Sequence, residues 1–201
     1  MKEDLSCQPL QSLTDRDPDL AAIVARYGAP PGWARDPGFA TLLHIILEQQ
    51  VSLASARAAY EKLLAIVELL TPQAFLALDD ATLRAVGFSR QKAAYGRHLA
   101  RDLLSGRLDL ARLDDMDDDA ARAALVAVKG IGPWTANIYL LMVLRRSDIW
   151  PQGDLALAQA AREVKGLAAR PSQLELSAIA DGWRPWRSYA ARLLWHHYLS
   201  S

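Results

Sequence analysis

Apolar positions along the chain recur with the period of a helix almost throughout. From Phe39 to Gln49, residues Phe39, Leu42, Leu43, Ile46 and Leu47 fall at i, i+3, i+4 spacing and predict an amphipathic helix. Leu20, Ile23, Val24 and Tyr27 repeat the pattern on a shorter segment opened by Asp17-Pro18. Residues 53–70 predict another helix, capped by Ser52, with Leu53, Ala56, Tyr60, Leu63, Leu64 and Val67 turned inward. Cap residues announce further starts. Thr71 before Pro72 opens a helix to Leu78, Asp79 one that stops at Gly87, and Ser89 one over 90–104 ended by Gly106. Pro171-Ser172 opens a helix to Asp181, and the segment from Trp183 leads into a last one. Residues 1–15 are polar and mixed, which predicts a frayed or loosely packed start. With no strand alternation and no internal repeat, the pattern predicts an all-α fold.

The middle of the chain departs from simple amphipathic helices. From Leu125 to Ala136, an apolar helix end runs into Gly130-Ile131-Gly132-Pro133, and a second apolar helix follows over about 134–146. Both glycines can adopt φ > 0, and neither carries a side chain to keep another backbone away. Pro133 suits the first position of a helix, where its missing N–H costs nothing. The unpaired N–H groups of such a helix start suit a phosphate, and Lys129 adds a positive charge. An ordinary tight turn between two helices has the same composition, so both readings stand.

Three other places carry candidate chemistry. Gln49 and Gln50 lie at a helix–helix corner, as turn formers or as amides able to reach base edges. Trp33 follows the turn Gly28-Ala29-Pro30-Pro31-Gly32 and reads as a lid on the core, with a ligand or DNA contact as the alternative. Pro151 and Gly153 break structure just before Asp154, which precedes a new apolar pattern where an N-cap belongs. A catalytic carboxylate is the rival reading of Asp154.

Composition then narrows the classes. A chain of 201 residues suffices for one good-sized core or two small lobes. Lys+Arg and Asp+Glu both number 23, which argues against coating nucleic acid by bulk charge but leaves room for a local basic surface. Arg84, Arg90, Lys92, Arg97 and Arg101 follow one another with no acid between, whereas Asp114, Asp115, Asp117, Asp118 and Asp119 crowd together. The acidic run suits a solvated loop and helix start and lacks the spacing of a calcium loop. The single cysteine, Cys7, excludes a disulfide framework, a Cys-ligated cluster and a Cys-rich zinc site. With no secretory h-region and no apolar run long enough to span a bilayer, a soluble intracellular protein without a membrane partner is expected.

Several blocks now align with one family. VKGIGPWTAN (128–137) resembles the helix-hairpin-helix of base-excision DNA glycosylases, and WPQGDLALAQA (150–160) resembles their Gly/Pro-rich loop ending in a catalytic aspartate. ILEQQVS (46–52) and WRPWRSYAARLLW (183–195) resemble further blocks of the 3-methyladenine DNA glycosylase II branch, and GFSRQKAAYGRHLA (87–100) fits it as well. The likeness covers roughly residues 20–200, and the short helical lead before Phe39 resembles the compact form lacking an N-terminal β domain.

The resemblance implies one module over 1–201, built of two helical lobes with an active-site cleft between them. One lobe would span about 39–147 and include the hairpin at 125–136; the other would combine 16–38 with 148–201. It implies a monomer acting on double-stranded DNA that contains alkylated bases, in the bacterial cytoplasm with the nucleoid or in a eukaryotic nucleus. The target nucleotide would be swung out of the duplex. Lys129, Gly130, Gly132 and Thr135 of the hairpin, with Arg90, would bind the DNA, Gln50 would fill the gap, and Gln49 would face the opposite strand.

Asp154 would be the catalytic carboxylate, and Trp134 and Trp195 aromatic walls of the base pocket, with Ile138 and Tyr139 where relatives place a pocket tyrosine. Trp183 and Trp186 are read as structural. No cofactor and no catalytic metal is expected, although relatives often hold a monovalent cation, sodium or potassium, in the turn near Gly130-Gly132. Relatives that also nick DNA carry a lysine where this chain has Trp134, which implies a monofunctional N-glycosylase for 3-methyladenine- or 7-methylguanine-type lesions in base excision repair. The alternative is a non-catalytic protein of the same fold that binds damaged or distorted DNA.

Overall fold

The computed structural model describes residues 7–201, and among them every regular element is helical: α1 (Cys7–Arg16), α2 (Pro18–Tyr27), α3 (Phe39–Glu48), α4 (Leu53–Leu64), α5 (Pro72–Ala77), α6 (Asp80–Ala85), α7 (Arg90–Leu104), α8 (Asp118–Val126), α9 (Pro133–Met142), α10 (Leu155–Val164), α11 (Gln173–Asp181) and α12 (Arg187–Ser200). A short 3-10 turn, Ala111–Asp115, precedes α8. The chain forms two compact units, a continuous one, Arg35–Leu144, and a split one that joins the residues up to Ala34 to Arg145–Ser201. No helix among the described residues is long and apolar enough to cross a membrane.

The helix starts follow local chemistry. Side chains of Asp17, Ser52, Thr71, Asp79, Ser89, Asp117, Asp154 and Ser172 each accept an N–H from the first turn they precede. Each such cap is worth about 1 kcal/mol, because it satisfies a donor that the helix cannot pair internally. Gly87, at φ +106, ends α6, its N–H returning to Arg84 O and that of Phe88 to Leu83 O.

In the continuous unit, α3 is the central post. Its residues from Leu42 to Glu48 are buried except His44, so it is apolar round nearly its whole circumference, and α4, α7 and α9 pack against it. Gly96 lets α7 come close: a Cβ there would lie 2.7 Å from the Phe75 ring and 2.8 Å from Leu43. Glu48 is buried and bound by both terminal nitrogens of Arg35, at 2.8 and 3.1 Å. Burial lowers the pKa of the neighbouring His44, whose ring stacks on Tyr60 at 4.1 Å; Arg35 and Arg57 act in the same direction and Glu48 opposes them.

In the split unit, α2, α10 and α12 form the core, with α1 and α11 against them. Asp17 ties these pieces together. Besides capping α2, it accepts Lys165 Nζ and Trp183 Nε1, each at 2.7 Å. Burial pushes the Asp17 carboxyl up, but those two donors and the lysine charge outweigh it, so its pKa lies below the ordinary 3.8.

Several expectations are corrected. Residues 7–16 are not frayed: α1 packs on α2 with Leu13 fully buried, while residues 1–6 lie outside the described residues. α4 stops at Leu64 instead of reaching 70, and Leu53 and Leu64 point outward. Its buried face is the small-residue stripe of Ala56 and Ala59 with Leu63, and a Cβ at Gly87 would lie 3.1 Å from that of Ala59. α9 ends at Met142, and Arg145, at φ +55, turns the chain. The arginines of the last segment are held by partners or buried. Arg187 and Arg184 grip Asp148, and Arg192 is buried.

Candidate functional site

The hairpin between α8 and α9 is anchored by Val128 and Ile131, both buried, while Lys129 is exposed. Its two glycines serve different purposes. Gly130 adopts φ +102, and a Cβ there would lie 2.3 Å from the Tyr95 ring, so only glycine fits on two counts. Gly132 has an extended backbone, φ −90 and ψ 175, as the N-cap of α9. An added Cβ at Gly132 would meet nothing within 4 Å. The first intrahelical bond of α9 runs from Ala136 N–H to Gly132 O, so the amides of Trp134 and Thr135 precede the ladder. A helix N-terminus, an open approach over Gly132 and the ammonium of Lys129 thus share one end of the continuous unit.

The Gln49-Gln50 corner divides its labour. Gln49 Nε2 donates to Gly130 O at 2.9 Å and to Thr135 Oγ1 at 2.8 Å. Gln49 therefore braces the hairpin, and the buried Thr135 side chain is its acceptor. The adjoining end of α3 is closed by Lys92, whose Nζ donates to Leu47 O at 2.5 Å and whose pKa burial lowers. Gln50 is different. It is exposed at φ +56, beside Val51 and Leu53, which are 45% and 57% exposed. Arg90 is exposed at the first position of α7, but Arg97 is spent on Asp80 and Leu78 O, so the basic run is only partly surface.

Asp154 lies in the split unit, where the structure shows the N-cap. It caps α10, with Oδ1 accepting Leu157 N–H at 2.9 Å, and the same oxygen faces Trp195 Nε1 at 3.4 Å. The loop that delivers it is clamped by the start of α12. Ser188 Oγ donates to Arg146 O at 2.6 Å and accepts Ile149 N–H at 2.9 Å, while Arg187 holds Asp148 through two nitrogens. Trp150 then packs on Trp183, and Gly153, at φ +83, makes the last turn.

The pocket assignments fare unequally. Trp195 lines the carboxylate, and Trp134 is half-buried at the second position of α9. Ile138 and Tyr139 are corrected to core residues. Tyr139 has no exposed surface, and its hydroxyl accepts Gly38 N–H at 3.4 Å. Ile138 is likewise buried. Sequence reasoning missed Tyr95, Ser188 and the Asp148–Arg187 pair. Nothing local marks them, because each works through a partner far away in the chain. Among the described residues, no group of three His, Cys, Asp or Glu side chains could hold a metal ion.

A model of the HhH-GPD superfamily of base excision DNA repair proteins matches residues 43–185. The chain belongs to that superfamily. An Escherichia coli relative named DNA-3-methyladenine glycosylase 2 is 32% identical to this HhH-GPD protein over 126 residues, which are 63% of this chain and 42% of the relative. The chain spans about half the length of such curated relatives. A solved DNA-3-methyladenine glycosidase from Bacillus halodurans is 29% identical, with a TM-score of 0.76 over 93% of this chain and 87% of that one. The Schizosaccharomyces pombe 3-methyladenine DNA glycosylase in complex with abasic DNA has the same fold, with a TM-score of 0.89 at 24% identity over 94% of this chain and 95% of that one.

Proposed function

We propose that this HhH-GPD protein is a monofunctional DNA glycosylase that hydrolyses the N-glycosidic bond of alkylated purines in double-stranded DNA. The observation that carries the reading is the Asp154 carboxylate. Two N–H donors converge on its Oδ1, which sets the plane of the group. Cleavage of the C1′–N bond leaves its electron pair on the purine and positive charge on the deoxyribose. A fixed carboxylate against that sugar stabilises the charge and orients the water whose oxygen bonds to C1′. Alkylation at N3 or N7 already makes the purine cationic, so it departs without a general acid. The residue that would carry a Schiff-base amine is Trp134, which has none, so no β-elimination step is assigned.

The hairpin supplies the DNA grip in this reading. A phosphate would sit over Gly132 at the start of α9, with Lys129 and Arg90 adding charge. Gln50, held exposed in left-handed space, would fill the gap left by the everted nucleotide. A monovalent cation at the turn would be held by backbone carbonyls. Val128 O and Gly130 O already accept Ile131 N–H and Gln49 Nε2, and each keeps a second lone pair for it.

Incubation with methylated duplex, followed by chromatography of released bases, tests the reading. The expected result is free 3-methyladenine or 7-methylguanine and a strand that breaks only on alkali. Binding without base release would leave a DNA-binding protein of the same fold, and strand breakage without alkali would overturn the monofunctional assignment.

A further inference from the structure

Trp33 adopts φ +40, a region where glycine is the default and a bulky aromatic residue is strained. Its indole lies edge-on to Trp195, centroids 6.4 Å apart and planes at 77°, and edge-on to His196 at 6.5 Å and 84°. Trp195 is the ring that faces Asp154 Oδ1, and all four residues belong to the split unit. In the same cluster, Tyr27 Oη and His196 Nδ1 are buried with no hydrogen-bond partner among the described residues, their rings 6.0 Å apart. A lid kept only for stability would shed both the strained backbone and the orphaned polar atoms, since each destabilises the fold. Their persistence around one indole points to a job for that ring.

Exposure says which surface is on offer. Trp195 is only 8% exposed, so little of it is open to a ligand, whereas Trp33 is half-buried and keeps open surface. We propose that Trp33 is a specificity-determining residue: together with Trp195 it forms an aromatic corner beside Asp154 that takes the cationic alkylpurine. The open surface of Trp33 offers that base an indole face, which favours a cation, while the nearly buried Trp195 backs it edge-on.

The proposal rests on the glycosylase reading, and its test separates the two. Wild-type protein is first assayed for release of 7-methylguanine from a single-lesion duplex; no release sinks both. Trp33→Gly and Trp33→Phe are then compared in single-turnover rate, duplex affinity and thermal midpoint. Glycine suits φ +40, so Trp33→Gly is expected to melt within a few degrees of wild type and to bind duplex within about twofold. Its excision rate is expected to fall about thirtyfold, the size of a desolvated cation–π contact of about 2 kcal/mol. Trp33→Phe, which restores an aromatic face, is expected to recover most of that rate. If Trp33→Gly melts much lower while its rate per folded molecule stays at the wild-type value, Trp33 is a packing lid and the proposal is wrong. Equal losses in Trp33→Gly and Trp33→Phe would overturn it as well.

Discussion

Replacing Asp154 by asparagine separates the two duties that converge on one oxygen. Asparagine keeps a side-chain acceptor in place, so Leu157 N–H and Trp195 Nε1 retain their partner. Asparagine and aspartate are nearly equal as N-caps, and the lost helix-dipole attraction is worth about 0.3–1 kcal/mol. At about 2–4 °C per kcal/mol for a chain of this size, the midpoint should fall by no more than about 4 °C. Catalysis should respond on another scale. A unit negative charge about 4 Å from a developing positive charge is worth about 4 kcal/mol at an effective dielectric near 20. That corresponds to about a 10³-fold loss of excision rate. Asp154→Ala should lose as much rate and also the cap, about 0.5–2 kcal/mol, so the two variants should differ in melting and not in turnover. Single-turnover release of 7-methylguanine beside calorimetry provides both numbers. Asp154→Asn turning over within about tenfold of wild type would refute the reasoning, because an uncharged amide cannot replace the carboxylate's field.

The two hairpin glycines should part ways. Gly130→Ala, strained at φ +102 and driven into Tyr95, should cost roughly 2–4 kcal/mol in a denaturant melt and recover partly when combined with Tyr95→Ala. Gly132→Leu should melt nearly normally but weaken binding to damaged and undamaged duplex alike by roughly 10–100-fold, the value of a charge-assisted hydrogen bond or two; loss on the damaged duplex alone would contradict a sequence-neutral backbone grip. Gln49→Ala leaves Gly130 O and Thr135 Oγ1 without their donor and should destabilise by about 1–3 kcal/mol, read by urea titration. For Asp17 the folded carboxyl lies below 3.8, so its contribution is present above that pH and lost as pH falls through the depressed value. Asp17→Asn, which keeps a cap, should therefore lower stability at neutral pH and flatten its fall on acidification.

Much of the local structure was legible without coordinates. The caps Ser52, Thr71, Asp79, Ser89 and Asp154 were readable because a cap bonds its own first turn, within three residues. The glycine that ends α6 and the proline that starts α9 were readable for the same reason. Boundaries set by packing were not. The apolar residues beyond Leu64 read as more helix, and Ile66 and Leu69 lie exposed after it has ended. Nothing in the last segment announced that Arg184 and Arg187 hold an acid, because Asp148 is thirty-odd residues away.

By itself, then, the order of residues determined an all-helical chain, its helix starts, the hairpin with its two glycines, and a carboxylate at the mouth of α10. Each of these depends on contacts within one turn or on conformations that only glycine or proline favours. Tertiary structure alone decided what each side chain does there. It put Gln49 and Thr135 inside the hairpin, Tyr139 in the core and Tyr95 against Gly130. It also brought Trp33 to Trp195 and Trp195 to Asp154. Such meetings join residues distant in the chain, and their geometry is fixed by which helices share a core, which no local pattern records.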